Sequence, residues 1–261
     1  MADHSKMKLG KRHARHDPRV PKLLKFTSAL PPPPPSVEWS SKVSKWPMML
    51  NDKLGDCTCA AVGHCIQQWT TYAGKPVVLP DADILQLYEA VSGYNPKEPG
   101  TDQGAVEVDV LNYWLAHGVH KEPLQAYATL ELQNHNEVMD SLYWFGNCYI
   151  GLALPISAQK QDVWAVPPGG AMGEGAPGSW GGHAVPVVAY DSRGLTVVTW
   201  GATKRMTWQF WDTYCDEAYA LLSPLWLSSG KAPQGFDWAQ LTADMADIKG
   251  GFANATAIKH I

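Results

Sequence analysis

The sequence predicts an α+β protein, because its helical patterns come first along the chain and its strand patterns follow. Apolar residues recur at three- or four-residue steps over residues 57–72, which is the period of a helix. Residues 148–154 form a continuous apolar run of strand length, and residues 184–190 and 195–199 are two more such runs, joined by a turn sequence. Helices followed by strands are typical of α+β domains, whereas α/β domains alternate the two.

The remaining elements follow from local patterns and their terminators. Four helices are predicted in the first part of the chain, at about 57–72, 81–91, 106–117 and 137–142, with Asp81 or Asp83 capping the second. A short extended piece is predicted at 77–79, a helix capped by Thr207 runs to Tyr214, and a last strand covers 218–222. A final helix is predicted over 237–248. Residues 165–182 are rich in Gly and Pro, and a long irregular loop of this kind is often functional.

Length and composition indicate one large domain or one domain of two lobes. The chain has 261 residues, 45% hydrophobic residues and a net charge of -4, as in an ordinary folded protein. It contains no apolar run long enough to span a bilayer and no apolar segment typical of a signal peptide. Five cysteines without a regular spacing favour a reducing compartment, although a disulfide remains open.

An N-terminal arm, residues 1–36, differs from the rest of the chain. Residues 1–25 carry eight Lys and Arg against two Asp, a charge of +6, so that the remainder carries -10. Five prolines at 31–35 predict a short polyproline II rod. A basic arm can bind nucleic acid, an acidic partner surface or the acidic body of its own chain, and a solvated tail is the alternative. Basic and aromatic residues do not alternate, which argues against nucleic acid.

One cysteine stands out as a candidate nucleophile. Cys57 follows Gly55-Asp56 at a predicted helix start, where the helix dipole favours a thiolate. An amide side chain, Asn51, precedes it by six residues, and His183 opens a strand far downstream. Nucleophile, oxyanion donor and base are the parts of a thiol hydrolase. The alternatives are a core cysteine, a turn asparagine and a structural histidine.

Other chemistries find less support. A zinc site built from Cys57, Cys59, His64 and Cys65 lacks the paired spacing of structural zinc sites, so no metal is predicted. The glycines at 169–175 neither follow a strand nor lead into a helix, so they do not form a phosphate-binding loop. We therefore expect no cofactor.

The order of several segments resembles the papain-like cysteine peptidase family. The similar segments are Gly55-Asp56-Cys57-Thr58-Cys59-Ala60, Thr101-Asp102-Gln103-Gly104, the helix ending at Gly118, Gly181-Gly182-His183-Ala184-Val185, and Val198-Thr199-Trp200-Gly201. They lie within about 46–222. The segment that begins at Asn51 and the run Val197-Val198-Thr199-Trp200-Gly201 also resemble papain-like proteins of bacteria and their phages.

This resemblance implies a two-lobed fold over 37–261, with a helical lobe at about 46–125 and a small antiparallel barrel at about 140–225. It implies a Cys57–His183 pair, an oxyanion site at Asn51 and the Cys57 backbone N–H, and a base shielded by Trp200. An extended peptide would dock along the edge of Gln103 and Gly104, while Gly182 allows a close backbone approach.

The chain departs from the family at the residue that orients the histidine. The family's asparagine is absent, and its place falls on Val198 or on Thr199, depending on which neighbour is used for counting. Two functional hypotheses follow. One is a thiol hydrolase of a peptide or isopeptide amide. The other is a non-catalytic papain-fold protein for binding or assembly, such as a virion component attached through its arm. The expected location is the cytoplasm or a virion, with no membrane partner.

Overall fold

The structure is a computed structural model that describes residues 3–26 and 32–231, together with the single positions 239 and 243. The helices within these residues are α1 Cys57–Tyr72, α2 Asp81–Ser92, α3 Glu107–His117, α4 His135–Phe145, α5 Trp208–Tyr214 and α6 Pro224–Ser228. The strands are β1 Val37–Glu38, β2 Ala126–Thr129, β3 Cys148–Leu154, β4 Val163–Trp164, β5 Gly181–Asp191, β6 Gly194–Thr199, β7 Ala202–Thr207 and β8 Cys215–Leu222. The helix predicted over 237–248 lies almost wholly outside the described residues.

The strands form one sheet in the order β2-β8-β3-β5-β6-β7-β4, with β1 added to β5. All pairs are antiparallel except β4 with β7. Among the described residues the terminal strands β2 and β4 do not pair with each other, so the predicted antiparallel β-rich lobe is an open barrel. Helices α1 to α3 precede every strand except the two-residue β1, and the predicted α+β class is confirmed.

Helix α1 is the central element of the core. Every residue of α1 except Thr71 is buried, and the helix packs against β5 on one side and against α2, α3 and α6 on others. Its Trp69 is fully buried and donates a hydrogen bond from Nε1 to the Phe145 carbonyl at 2.7 Å. Burial of one such aromatic side chain contributes roughly 2–3 kcal/mol to folding. The helix is therefore fixed on all sides, and so is the residue at its start.

Local patterns predicted some elements better than others. The bounds of α1 and β3 are those predicted, and Thr207 caps α5 by accepting a hydrogen bond from the Phe210 N–H. Strand β7 was not predicted, because it contains exposed and polar residues and gains its order from pairing with β6. Residues 77–79, predicted as a short extended piece, belong to no helix or strand, and the N-cap position of α2 is Pro80 rather than Asp81 or Asp83.

Part of the arm belongs to the core, although the sequence predicted no core pattern there. Val20 and Leu23 are buried, and the Thr129 N–H donates a hydrogen bond to the Pro21 carbonyl at 2.9 Å. Within the described ranges, no helix has the length and apolar character that a membrane crossing requires.

Candidate active site

Cys57 is the first residue of α1, and its thiol points at the sheet. It is 1% exposed, and its Sγ accepts a hydrogen bond from the Ala184 N–H at 3.4 Å. Ala184 follows His183 on β5, so the sulfur lies against the strand that carries the histidine. The structure therefore brings the predicted nucleophile and the predicted base to the same place, although they are 126 positions apart in sequence.

His183 is oriented by a threonine. The ring Nε2 lies 2.7 Å from the Thr199 hydroxyl, and Nδ1 has no hydrogen-bond partner among the described residues. Val198 instead packs with Trp46 and Val188 in a separate apolar cluster. The sequence left Val198 or Thr199 as the residue beside His183, and in the structure that residue is Thr199. The nitrogen that remains free is Nδ1.

Trp200 covers the imidazole. Its ring is stacked on His183 with a centroid distance of 4.5 Å and an angle of 18°. Thr199 pairs with Ala202, so Trp200 and Gly201 form a two-residue hairpin turn, and both have positive φ, 46° and 73°. Such turns require positive φ at both positions, which costs a non-glycine residue roughly 1–3 kcal/mol. The packing of Trp200 against the ring offsets this strain.

Asn51 is buried near the start of α1, but its amide is engaged. Nδ2 donates to the Leu54 carbonyl at 3.3 Å and to Asp56 Oδ1 at 3.2 Å. Both amide hydrogens therefore have acceptors within the loop that leads to Cys57. Asn51 as an oxyanion donor stays a prediction, and it requires one of these bonds to be exchanged for the substrate oxygen.

A carboxylate fixes the other wall of the site. Asp102 accepts hydrogen bonds from the Gly55 N–H at 3.1 Å and from the Tyr88 hydroxyl at 2.5 Å, and that hydroxyl accepts from the Gly104 N–H at 2.9 Å. This network joins the loop before Cys57 to the loop of Gln103 and Gly104. Sequence analysis missed Asp102 and Tyr88 as positioning residues, since nothing local links them.

The cleft between residues 102–105 and the start of β5 is filled by the arm. Gly10 accepts a hydrogen bond from the Ala105 N–H at 2.8 Å, and the Arg12 N–H donates to the Ala105 carbonyl at 2.9 Å. On the other side, the Lys11 N–H donates to the Gly182 carbonyl at 3.0 Å. The arm thus lies in the cleft as an extended strand, at the edges predicted for a peptide.

Glycines on both partners allow this close approach. A Cβ at Gly10 would overlap the Gly55 carbonyl, one at Gly104 would overlap the Gly10 carbonyl, and one at Gly182 would overlap the Lys11 carbonyl. Any larger residue at these positions would push the arm out of the cleft. The charge contrast between arm and body was the sequence signal for this contact, although it did not specify the place.

The arm also determines the electrostatics of the pair. Burial raises the pKa of the Cys57 thiol to about 12, although backbone hydrogen bonds from Ala184 and Gly10 oppose the shift. Burial likewise lowers the pKa of the His183 imidazole to about 3, and the nearby His4 acts in the same direction. His4 belongs to the arm and stacks on Trp200 with a centroid distance of 5.0 Å. With the arm in place, thiol and imidazole are both neutral at pH 7.

Asp56, next to the nucleophile, is fully buried, and burial raises its pKa well above the usual value despite the bond from Asn51. A raised folded-state pKa means that stability is lost as the pH rises above the unfolded value of about 4. Asp56→Asn is therefore expected to raise the melting temperature at pH 7 and to change it little near pH 4. Thermal unfolding at both pH values checks this, with Glu174→Gln, an exposed carboxylate away from Asp56, as control. A gain of equal size at both pH values would contradict it.

No set of side chains arranged to bind a metal ion occurs within 3–26 and 32–231, and all five cysteines are free thiols. Cys59 and Cys65 are buried in the helix and act as small core residues.

Comparison with known proteins gives a consistent result for the fold. No protein-family model matches the sequence, and no curated protein is significantly similar to it. Among solved structures, xylellain, a cysteine protease from Xylella fastidiosa, is similar at a TM-score of 0.65 and 16% identity, over 85% of this chain and 98% of its own. The chain has a papain-like fold.

Two further papain-like structures align with different lengths of the chain. The digestive procathepsin L 3 of Tenebrio molitor larval midgut aligns with 84% of this chain and 77% of its own, at a TM-score of 0.56 and 14% identity. Bromelain from Ananas comosus, in complex with the inhibitor E64, aligns with 73% of this chain and 99% of its own, at a TM-score of 0.52 and 14% identity.

Proposed function

We propose that this protein is a papain-like thiol hydrolase of peptide or isopeptide amides, with Cys57 as nucleophile and His183 as base. The observation that carries the proposal is the arrangement of His183. Its Nε2 contacts Thr199, its Nδ1 is left without a partner among the described residues, and the adjacent Ala184 N–H contacts the Cys57 sulfur. A base oriented by a third group beside a nucleophile is the arrangement that thiol catalysis needs.

In the proposed reaction, His183 takes the proton of Cys57, and the thiolate attacks the amide carbonyl carbon. The C–N bond then breaks, the imidazolium protonates the leaving amine, and a thioester remains on Cys57. Water activated by His183 hydrolyses that thioester and restores the thiol. The backbone N–H of Cys57 and the amide of Asn51 would stabilise the oxyanion in both steps.

The arm makes the described state a latent one. It covers the thiol, occupies both peptide-binding edges and holds the pair neutral. Catalysis would require the arm to leave the cleft.

A binding protein is the second candidate, and the engaged amide of Asn51 favours it. In that case the papain-like cleft would hold its own arm, or a partner's segment, without turnover. The retained contacts of His183 argue for the enzyme, and the experiment below separates the two.

The test uses a chain that starts at residue 16, because Val20 and Leu23 then remain in the core. We expect this chain to hydrolyse peptides in a mixed peptide library, with the cleavage products detected by mass spectrometry. The Cys57→Ala variant should show no cleavage. Cys59→Ala, two residues further along α1, serves as the matched control and should retain activity. Stable peptide binding without any Cys57-dependent cleavage would support the binding protein and overturn the hydrolase.

A further inference from the structure

The pocket that receives Lys11 is acidic and buries the side chain of that residue. Its charged residues, which we call the acidic pocket, are Glu107 at the start of α3 and Asp216 and Glu217 on β8. The Lys11 Nζ lies 2.9 Å from Asp216 Oδ1 and 2.9 Å from Glu217 Oε1, and the Lys11 side chain is 1% exposed. A charged side chain is rarely buried to this extent unless the site is built to receive it.

The geometry of the pocket matches an ammonium group. Nζ donates hydrogen bonds to Asp216 Oδ2 at 3.0 Å and to the Arg12 carbonyl at 3.2 Å, and it forms an ion pair with Glu217. The lysine stem passes over Gly151 of β3, where a Cβ would overlap the Lys11 Cε. The Tyr219 hydroxyl donates to Glu217 Oε2 at 2.8 Å and holds that carboxylate in place.

The pocket contains one more carboxyl group than Lys11 contacts, and burial raises the pKa of that group, Glu107, well above its usual value. Glu107 is fully buried, and neither of its carboxylate oxygens has a hydrogen-bond partner in the described part of the chain. Burial would lower the pKa of Lys11, yet the charges of Glu107, Glu217 and Asp216 raise it above its ordinary value. A buried carboxyl group without a hydrogen-bond partner is costly, and a cation beside it offsets part of that cost, so the pocket is adapted to a cation rather than to an apolar side chain.

We infer that the acidic pocket is a substrate subsite for a lysine side chain, which Lys11 occupies while the arm lies in the cleft. This inference rests on the proposed function. Its basis is position: Gly10 packs against Gly55, two residues before Cys57, and the next residue places its side chain in the acidic pocket. The backbone groups that hold Lys11 and its neighbours, at Gly182 and Ala105, are available to any extended peptide once the arm has left.

Binding is tested first, independently of turnover. The protein is the chain starting at residue 16 with Cys57→Ser, and the probe is a fluorescent peptide of residues 3–16. Replacing Lys11 in the peptide by Met is expected to weaken binding at least about 10-fold, because charge-assisted hydrogen bonds are lost. Arg12→Met, at an exposed neighbouring position, should change it less than about 3-fold. In the protein, Glu217→Gln should weaken binding roughly 10- to 100-fold, and the exposed Glu98→Gln should not.

Substrate choice is tested second, with the active chain starting at residue 16 and a random peptide library. Peptides that bind or are cleaved should be enriched in lysine at one fixed position, and Glu217→Gln should remove the enrichment. If no peptide is cleaved but lysine is enriched among bound peptides, the hydrolase proposal fails and the subsite stands. If peptides are cleaved without lysine enrichment, or if only the arm peptide depends on its lysine, the acidic pocket is merely an anchor for the arm and the inference is overturned.

Discussion

Deleting residues 1–15 is expected to raise the alkylation rate of Cys57 at pH 7 by at least about 100-fold. In the full chain, burial under the arm raises the thiol pKa to about 12, so almost no thiolate is present at pH 7. Removing Gly10 and Lys11 readmits water and withdraws His4 from the ring that shields His183. The helix N-terminus and the imidazole can then stabilise the thiolate.

The pH profile of iodoacetamide labelling at Cys57, followed by peptide mass spectrometry, checks this result. In the full chain the rate should climb about 10-fold per pH unit through the alkaline range. In the shortened chain the labelling rate should level off near neutral pH, because a lowered pKa leaves the Cys57 thiol already ionised at that pH. Equal profiles for the two chains would contradict the covering role of the arm.

A point substitution distinguishes the effect of uncovering Cys57 from the effect of deleting fifteen residues. Gly10→Val should labilise the arm and raise labelling in the same direction, because a side chain there would overlap Gly55. Ala14→Val, at an exposed arm position, is the matched control and should label like the unmodified chain. Gly10→Val should also lower the melting temperature, because displacing Lys11 leaves the buried carboxyl groups around it without their cation, whereas Ala14→Val should leave the melting temperature unchanged.

Thr199→Val in the chain starting at residue 16 is expected to lower kcat by roughly 10- to 100-fold with little change in KM. The substitution keeps the shape of the side chain and removes the hydroxyl that contacts His183 Nε2 at 2.7 Å. The imidazole then loses the partner that sets its orientation and tautomer, while the peptide-binding edges are untouched. Thr199→Asn restores a polar partner and should recover part of the loss.

Thr203→Val provides the control, because that residue is exposed on the neighbouring strand β7. A histidine side-chain NMR spectrum of each variant reports the His183 tautomer directly and would not respond to a merely structural role. If Thr199→Val left both kcat and the spectrum unchanged, the orientation of His183 would have to come from the stacked Trp200 alone.

Local patterns determined much of the scaffold. The apolar repeat from Cys57 to Tyr72 specified α1, and the short apolar run from Cys148 to Leu154 specified β3. Both elements are buried, so the spacing of apolar residues in their own sequence is enough to identify them. The placement of Cys57 at a helix start followed from the same pattern. By contrast, β7 is half exposed and polar, and only pairing with β6 identifies it as a strand.

The composition of the site was decided by contacts between distant parts of the chain. Counting could not choose between Val198 and Thr199, because the answer depends on which face of β6 meets His183. The sequence also proposed Asn51 from its spacing to Cys57, whereas the folded loop gives its amide two acceptors.

The N-terminal arm is the clearest case in which the sequence alone did not specify a contact. Its charge was evident from the sequence, but its place in the cleft depends on glycines at 10, 104 and 182 and on carboxylates from α3 and β8. Sequence periodicity reports burial along one element. Only tertiary structure reports which elements meet, since that is set by packing between residues far apart in the chain.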